Sequence, residues 1–257
     1  MEIITSTLNG VRELKLNRPE VFNSFNKDMA ISLQNALDDC AVNDAVRSIV
    51  IIGEGKAFCA GQDLAEVTDP NGPELESIVG EHYNPIILKI REIEKPVIAA
   101  VNGVAAGAGA NIALACDIVV AKERASFIQA FSKIGLIPDS GGTFFLPRII
   151  GFQKALALMM TGEKISAREA EKMNMIYKAV PDEEFEATIQ KLSATLAKMP
   201  TKGLGLTKKA VNQSFSNSLH EQLDVEQRFQ TEAGKTHDFE EGVNAFLDKR
   251  KPEFTGK

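Results

Sequence analysis

Lys95-Pro96-Val97-Ile98-Ala99-Ala100-Val101-Asn102-Gly103-Val104-Ala105-Ala106-Gly107-Ala108-Gly109-Ala110-Asn111 is the stretch that decides how this chain folds. Val97–Val101 is an unbroken aliphatic run, the length of a strand and apolar on both sides, as a strand covered on both faces requires. Asn102-Gly103 closes it with turn residues. Residues 102–111 are then mostly glycine and alanine, and they run into an apolar segment at 112–115 that reads as a helix start. A small-residue loop opening a helix presents unpaired N–H groups to anything negative. It is not a dinucleotide loop, because the GxGxxG spacing is absent and no acidic residue ends a strand about twenty positions on.

The same grammar recurs on either side. Val11–Leu16 alternates as a half-buried strand, residues 48–52 form an Ile/Val run closed by Gly53-Glu54-Gly55, and 118–120 form another. Between them Met29, Leu33, Ala36, Leu37 and Cys40 follow helical spacing, with Asn26 placed as an N-cap. Strand, glycine turn and helix in repetition predict an α/β fold. Asp69-Pro70-Asn71-Gly72-Pro73 reads as a surface loop. After Asp182 strand signals stop. Phe185, Ile189, Leu192 and Leu196 share one helical face, as do Leu219 and Leu223, then Phe239, Val243, Phe246 and Leu247. Residues 1–197 thus read as the core and 198–257 as a helical region whose apolar stripes need a surface to cover, either the core or a neighbouring subunit.

The chain has 257 residues, 44% hydrophobic and 25% charged, ample for a large core. No apolar stretch is long enough to span a membrane, and the first residues lack the pattern of a secretory signal. Cys40, Cys59 and Cys116 form no CxxC pair and read as reduced thiols of a cytoplasmic protein. The net charge of -6, without a basic stripe, argues against nucleic acid. His82, His220 and His237 lie in separate segments without metal-ligand spacing, so no metal is expected.

Two further segments carry chemistry. Lys56-Ala57-Phe58-Cys59-Ala60-Gly61-Gln62-Asp63-Leu64 follows a strand, and its small residues before Gln62 let a ligand approach the backbone. Gly135-Leu136-Ile137-Pro138-Asp139-Ser140-Gly141-Gly142-Thr143 holds a lone carboxylate among apolar residues. Asp139 is either a helix N-cap or a general acid/base held against an apolar pocket. Apolar neighbours (Phe131, Ile134, Leu136, Ile137, Phe144) would raise its pKa, while a glycine-rich helix start would lower it.

Taken together, residues 57–64, 95–103 with 107–117, 135–143 and the closing Glu241-Gly242-Val243-Asn244-Ala245-Phe246-Leu247-Asp248-Lys249-Arg250 resemble the enoyl-CoA hydratase/isomerase (crotonase) family over nearly the whole chain. Tyr83-Asn84-Pro85, residues 102–110, Ala130-Phe131-Ser132-Lys133, residues 135–139, Gly203-Leu204-Gly205-Leu206 and Phe254-Thr255-Gly256-Lys257 look most like the branch that isomerises ring-epoxidised phenylacetyl-CoA in phenylacetate catabolism. The resemblance implies a spiral of ββα units, a helical C-terminal trimerisation region, and a homotrimer or dimer of trimers. It implies an acyl-CoA substrate with no separate cofactor, coenzyme A being part of the substrate. Carried across by position, the amides of Gln62 and Ala108 form an oxyanion hole and Asp139 is the acid/base. Ala108 replaces a glycine common in relatives and still supplies its N–H.

The resemblance also places Ala60, Gly61, Asp63, Leu64, Gly107, Gly109, Asn111 and Phe131 at the substrate, with Arg18 and Lys56 toward the phosphates. Phe246 and Lys249 would reach a neighbouring subunit's ligand. Hydratases of the family carry glutamates where this chain has Asn111 and Phe131, so isomerisation is expected and hydration is not. The alternatives are a Δ3,Δ2-enoyl-CoA isomerase or enoyl-CoA hydratase of fatty-acid oxidation, and a non-catalytic acyl-CoA-binding subunit.

Overall fold

A computed structural model describes residues 1–257. Strands β1 (Ile3–Leu8) and β2 (Val11–Leu16) form an antiparallel hairpin. Its two-residue turn, Asn9-Gly10, takes φ of 50° and 82°, as the twist of such a hairpin demands. Helix α1 (Lys27–Val42) begins under Asn26, whose side-chain oxygen accepts the Met29 N–H at 3.0 Å.

The chain then repeats one unit three times: a strand, a tight turn, a short strand in a second sheet, and helix. The first unit is β3 (Ser48–Gly53), β4 (Ala57–Cys59), α2 (Leu64–Thr68), α3 (Leu75–Ser77) and α4 (Asn84–Glu92). The second is β5 (Val97–Val101), β6 (Val104–Ala106) and α5 (Ala108–Ala115). The third is β7 (Ile118–Lys122), β8 (Ser126–Ile128), a 3-10 turn at Ala130–Ile134, α6 (Gly142–Ile150) and α7 (Phe152–Thr161). β9 (Lys164–Ser166), α8 (Ala167–Lys172) and β10 (Lys178–Val180) complete the two sheets. The larger sheet runs β1-β2-β3-β5-β7-β10 and the smaller β4-β6-β8-β9, each parallel apart from one antiparallel pair, β1/β2 and β8/β9.

The continuous apolar strands are explained by cover on both faces. Ile49, Ile51, Val97, Ala99 and Val101 point into the main core. Val50, Ile98, Ala100 and Val120 point the other way, into a second core closed by Phe185 and Ile189 of α9 (Phe185–Ala197). The buried Asn102 braces successive turns: its oxygen accepts the Gly53 N–H at 3.1 Å while its amide donates to the carbonyls of Gly55 and Ala57.

Residues 102–111 are not one loop. They contain β6, and α5 starts at Ala108, four residues before the apolar 112–115 segment. Residues 56–64 likewise contain β4. Glycine and alanine carry no periodicity to read; their role is to let two backbones touch. A Cβ on Gly109 would lie 2.5 Å from the Cys59 carbonyl oxygen and 2.6 Å from its sulfur.

Three helices end the chain: α10 (Thr201–Ser214), α11 (Leu219–Ala233) and α12 (His237–Leu247). The buried Lys208 fastens α10 to the core, donating to Asp117 at 2.8 Å and to the Ile90 carbonyl at 2.6 Å. The last residues fold back. Asp238 accepts the N–H groups of Thr255 and Gly256, both at 2.7 Å, and Arg47 donates to the carbonyls of Phe254 and Met199. Leu219, Leu223, Phe239, Phe246 and Leu247 remain exposed, and two concave surfaces lie among these helices, neither lined by Asp139. No helix is long and apolar enough to cross a membrane.

Candidate active site

Pairing of β4 with β6 brings the ends of two spiral turns side by side. Gly61, at φ +99°, runs so close to the neighbouring turn that a Cβ there would sit 3.0 Å from the Ala106 oxygen and 3.6 Å from the Ala108 nitrogen. Gly107, at φ 52° and ψ -128°, turns the chain into α5 through a conformation that other residues rarely hold.

These turns leave two N–H groups free on adjacent segments. The Gly61 carbonyl accepts from Phe25 N–H at 2.7 Å and Asp63 N–H donates to the Phe25 carbonyl at 2.8 Å, while the Gln62 N–H between them has no partner in the chain. Ala108 is the first residue of α5, so no helical carbonyl stands four residues before it. Unpartnered amides at one half-buried and one buried residue are open to an acceptor from outside the chain.

Asp139 stands after the 3-10 turn, half-buried. It does not cap a helix: Gly141 holds that position for α6. Its Oδ1 accepts the Ser140 hydroxyl at 2.8 Å. Burial raises its pKa above the ordinary aspartate value, only partly offset by the Ser140 hydroxyl and its own backbone. Of the two opposing influences read from the sequence, desolvation wins. Ile134, Leu136, Ile137 and Phe144 around this segment are exposed in the single chain.

The Asp139 backbone is held at two points. Its carbonyl accepts the Gly142 N–H and the Asn111 side-chain amide, both at 2.8 Å. Asn111 is fully buried, and its oxygen accepts from Gln129 at 2.8 Å. Ser140 and Gly141, at φ 50° and 73°, complete the bend.

Phe131 is buried, its ring tip 3.8 Å from where a Gly107 Cβ would lie. Thus positions 111 and 131 present an internally bonded amide and a phenyl ring. Asp63 caps α2 and pairs with Arg18 at 2.8 Å, while Arg18 also donates to the Ser24 carbonyl. Arg18 is therefore already committed within the chain. Lys56 is exposed and unpaired, Leu64 is exposed, Ala60 is half-buried, and Gly61, Gly107 and Gly109 are buried. Phe246 and Lys249, at the end of α12, are exposed.

Sequence reading gave no role to Tyr83 or Gln129, and set Ser140 aside as a nucleophile because no histidine motif accompanies it. Tyr83 is 1% exposed and donates its hydroxyl to the Gln62 side-chain oxygen at 2.7 Å. A buried tyrosine inside a segment already matched to relatives, Tyr83-Asn84-Pro85, was the available signal.

The family model described as enoyl-CoA hydratase/isomerase matches residues 6–257. The 1,2-epoxyphenylacetyl-CoA isomerase of Escherichia coli (strain K12) is 48% identical, with all of both chains covered. The trans-2-decenoyl-[acyl-carrier-protein] isomerase of Streptococcus mutans is 38% identical over all of this chain and 98% of that one. The crystal structure of an enoyl-CoA hydratase from Bacillus anthracis superposes with a TM-score of 0.93 at 32% identity, covering all of both chains.

Proposed function

This chain belongs to the enoyl-CoA hydratase/isomerase family, and from its site we propose that it isomerises acyl-CoA thioesters, with 1,2-epoxyphenylacetyl-CoA as the substrate and the oxepin thioester as the product. The observation that carries this reading is a single half-buried carboxyl without a cation partner, Asp139, beside positions 111 and 131 that hold no second acid.

The α-proton of a thioester is weakly acidic, so its removal needs help at both ends. The Gln62 and Ala108 amides meet the carbonyl oxygen as enolate charge gathers there. Losing one such donor costs about 3–4 kcal/mol in comparable sites. Asp139 takes the proton from the α-carbon, a contribution of roughly 10²–10⁴-fold when well placed. Raising its pKa by burial makes it a better base for a carbon acid. As the strained epoxide ring opens to the seven-membered oxepin, the proton returns to a ring carbon, so nothing is gained or lost and one carboxyl serves in turn as base and acid. The same parts would move a 3,4 double bond of an enoyl-CoA to the 2,3 position, the nearest alternative and one that the Streptococcus mutans relative favours. Adding water needs one group to activate it and another to deliver its proton; with an amide and a phenyl ring at 111 and 131, hydration is slow.

Lys56 is free for the phosphates of coenzyme A; the Ala60 N–H is spent on the Phe22 carbonyl at 3.0 Å and the Gln62 N–H on the thioester oxygen, which leaves the carbonyls of Ala60 and Gln62 and the backbone of Leu64 for its adenine. The exposed apolar residues of α11 and α12 fit burial in a homotrimer or a dimer of trimers, which would carry Phe246 and Lys249 to a neighbour's ligand. Three buried, unpaired cysteines, with burial pushing the Cys59 thiol up to about 12, fit a cytoplasmic protein.

The test is to incubate the protein with 1,2-epoxyphenylacetyl-CoA, a 3-enoyl-CoA and crotonyl-CoA, following mass and ultraviolet absorbance. Products of unchanged mass from the first or second, lost in Asp139→Asn while the thioester still binds, are expected. Crotonyl-CoA gaining water at a comparable rate, or full turnover by Asp139→Asn, would overturn the reading.

A further inference from the structure

The segment Tyr83-Asn84-Pro85 has no part in the chemistry described so far, yet it begins with a buried tyrosine whose hydroxyl meets Gln62. Its geometry follows from the proline. Pro85 has no N–H to give the Glu81 carbonyl, so the helix cannot run on regularly from α3 into α4. It widens instead into a π-helical turn, Ile78–Tyr83, in which the Asn84 N–H reaches five residues back to the Val79 carbonyl. The side-chain amide of Gln34 supplies the missing donors, bonding the carbonyls of Glu81 at 2.8 Å and His82 at 3.1 Å. Tyr83 is thereby turned inward against Phe25, with ring centroids 5.8 Å apart.

From there a line of hydrogen bonds crosses to α1. The Tyr83 hydroxyl donates to Gln62 Oε1 at 2.7 Å. Gln62 Nε2 donates to Glu66 Oε2, also at 2.7 Å, and Glu66 Oε1 accepts the Lys27 N–H at 2.8 Å. Both ends of the Gln62 side chain are therefore tied to different elements. With its side-chain torsions fixed and the flanking residues Gly61 and Asp63 bonded to Phe25, the Gln62 peptide has one orientation left.

We infer that Tyr83 is a positioning residue: the bond from Phe25 N–H to the Gly61 carbonyl sets the plane of the peptide that carries the Gln62 N–H, and the Tyr83–Gln62–Glu66 chain holds Gln62 against tilting of that plane, and so keeps up the polarisation of the bound thioester carbonyl. This rests on the acyl-CoA reading above. Preorganised donors stabilise developing charge because they need no reorientation as the reaction proceeds, so a small loss of order there is felt in turnover more than in binding. Tyr83 does not itself exchange protons. Burial, and then the surrounding Cys59, Asp139, Glu66 and Asp63, keep its hydroxyl in the protonated, donating form.

The experiment uses 4-(dimethylamino)cinnamoyl-CoA, a thioester whose absorbance moves to the red as its carbonyl is polarised and which needs no turnover. With the unaltered protein a red shift on binding is expected. Tyr83→Phe should bind the probe within about three-fold of wild type but reduce the red shift to less than half. Turnover should drop roughly ten-fold with KM little changed. Glu66→Ala, at the half-buried end of the line, should do the same and decides the matter if Tyr83→Phe folds poorly. A full red shift in both variants would overturn the positioning role and leave the acyl-CoA reading standing. No red shift with the unaltered protein would remove the carbonyl grip itself, and this inference with it.

Discussion

Asn111→Asp replaces one atom group and should convert a brace into a pH-dependent fault. In the native chain the Asn111 amide donates to the Asp139 carbonyl at 2.8 Å, while its oxygen accepts from Gln129 at the same distance. A carboxylate would keep the second bond and set oxygen against oxygen in the first. No water can relieve this, because the position is fully buried and Gly142 is so close that a Cβ there would lie 2.3 Å from the Asn111 amide nitrogen. The introduced carboxyl must then be neutral, with its O–H donating to Asp139, or else a buried unpaired charge. Full burial raises such a group by about 3 units or more, and each unit is worth about 1.4 kcal/mol.

The sign follows from linkage. Below the unfolded pKa, about 4, both states are protonated and the variant keeps nearly all its stability. As pH rises, the unfolded chain releases its proton first, so stability is lost across the window up to the raised folded pKa, reaching about 4 kcal/mol. Urea unfolding of variant and wild type at pH 5 and pH 8 measures it. Far-ultraviolet circular dichroism is the suitable signal, since the chain has no tryptophan and two tyrosines. Turnover at pH 8 should fall further than stability implies, because the carbonyl being repelled belongs to the proposed base. A variant as stable as wild type at pH 8, with undiminished turnover, would refute the brace.

Other outcomes follow from the same geometry. Because burial raises the Asp139 pKa, kcat/KM should fall on acidification through a limb lying above the ordinary aspartate value, and Asp139→Asn should abolish it. That raised pKa also means that ionisation of Asp139 works against folding: the stability of the protonated form is complete below the unfolded pKa and is lost as pH rises through the folded one. Asp139→Asn should therefore melt at or above the wild-type temperature at pH 8 while being inactive, and a marked drop in Tm would contradict the account of its burial. Gly109→Ala would drive a methyl group to 2.5 Å from the Cys59 carbonyl oxygen, costing about 1–3 kcal/mol in calorimetry and prising the Ala108 amide away from Gln62. Retained activity in that variant would mean that α5 need not approach β4 so closely.

Strands β2, β3, β5 and β7 were legible because their side chains meet apolar neighbours on one face or both, and burial leaves a pattern in residue type. The second sheet was not legible by the same means. β4 and β6 are three residues each, and β6 is one valine and two alanines, selected for what they omit. Their position shows only once Gly61, Gly109 and the neighbouring backbone are seen in contact, a long-range fact that no local window contains. Family resemblance supplied the spiral there, since it compares whole arrangements. The C-terminal helices were legible as helices, but their exposed faces, Leu219 and Phe246 among them, do not say what covers them.

The site divides along the same line. Asp139 stands out in the sequence as a lone carboxylate among apolar residues, and burial does raise its pKa, although of the five apolar neighbours only Phe131 is itself buried. Its alternative as a helix cap could not be dismissed locally, because Ser140 and Gly141 bend the chain for two residues before α6 begins and nothing in their identity marks where the cap falls. Asn111 has a structural role that no local pattern announces. Family resemblance places it at the substrate, where hydratases carry a glutamate; its side chain is bonded to Gln129, eighteen positions on, and to a carbonyl twenty-eight positions on. Replacing a carboxylate by an amide at such a place does two things at once: it takes away an acid, and it supplies a donor that holds the remaining acid's backbone. Under the proposed mechanism the want of a second acid and the rigidity of Asp139 rest on the same residue, so a variant with an acid at position 111 would weaken the proposed base before it could add a second one.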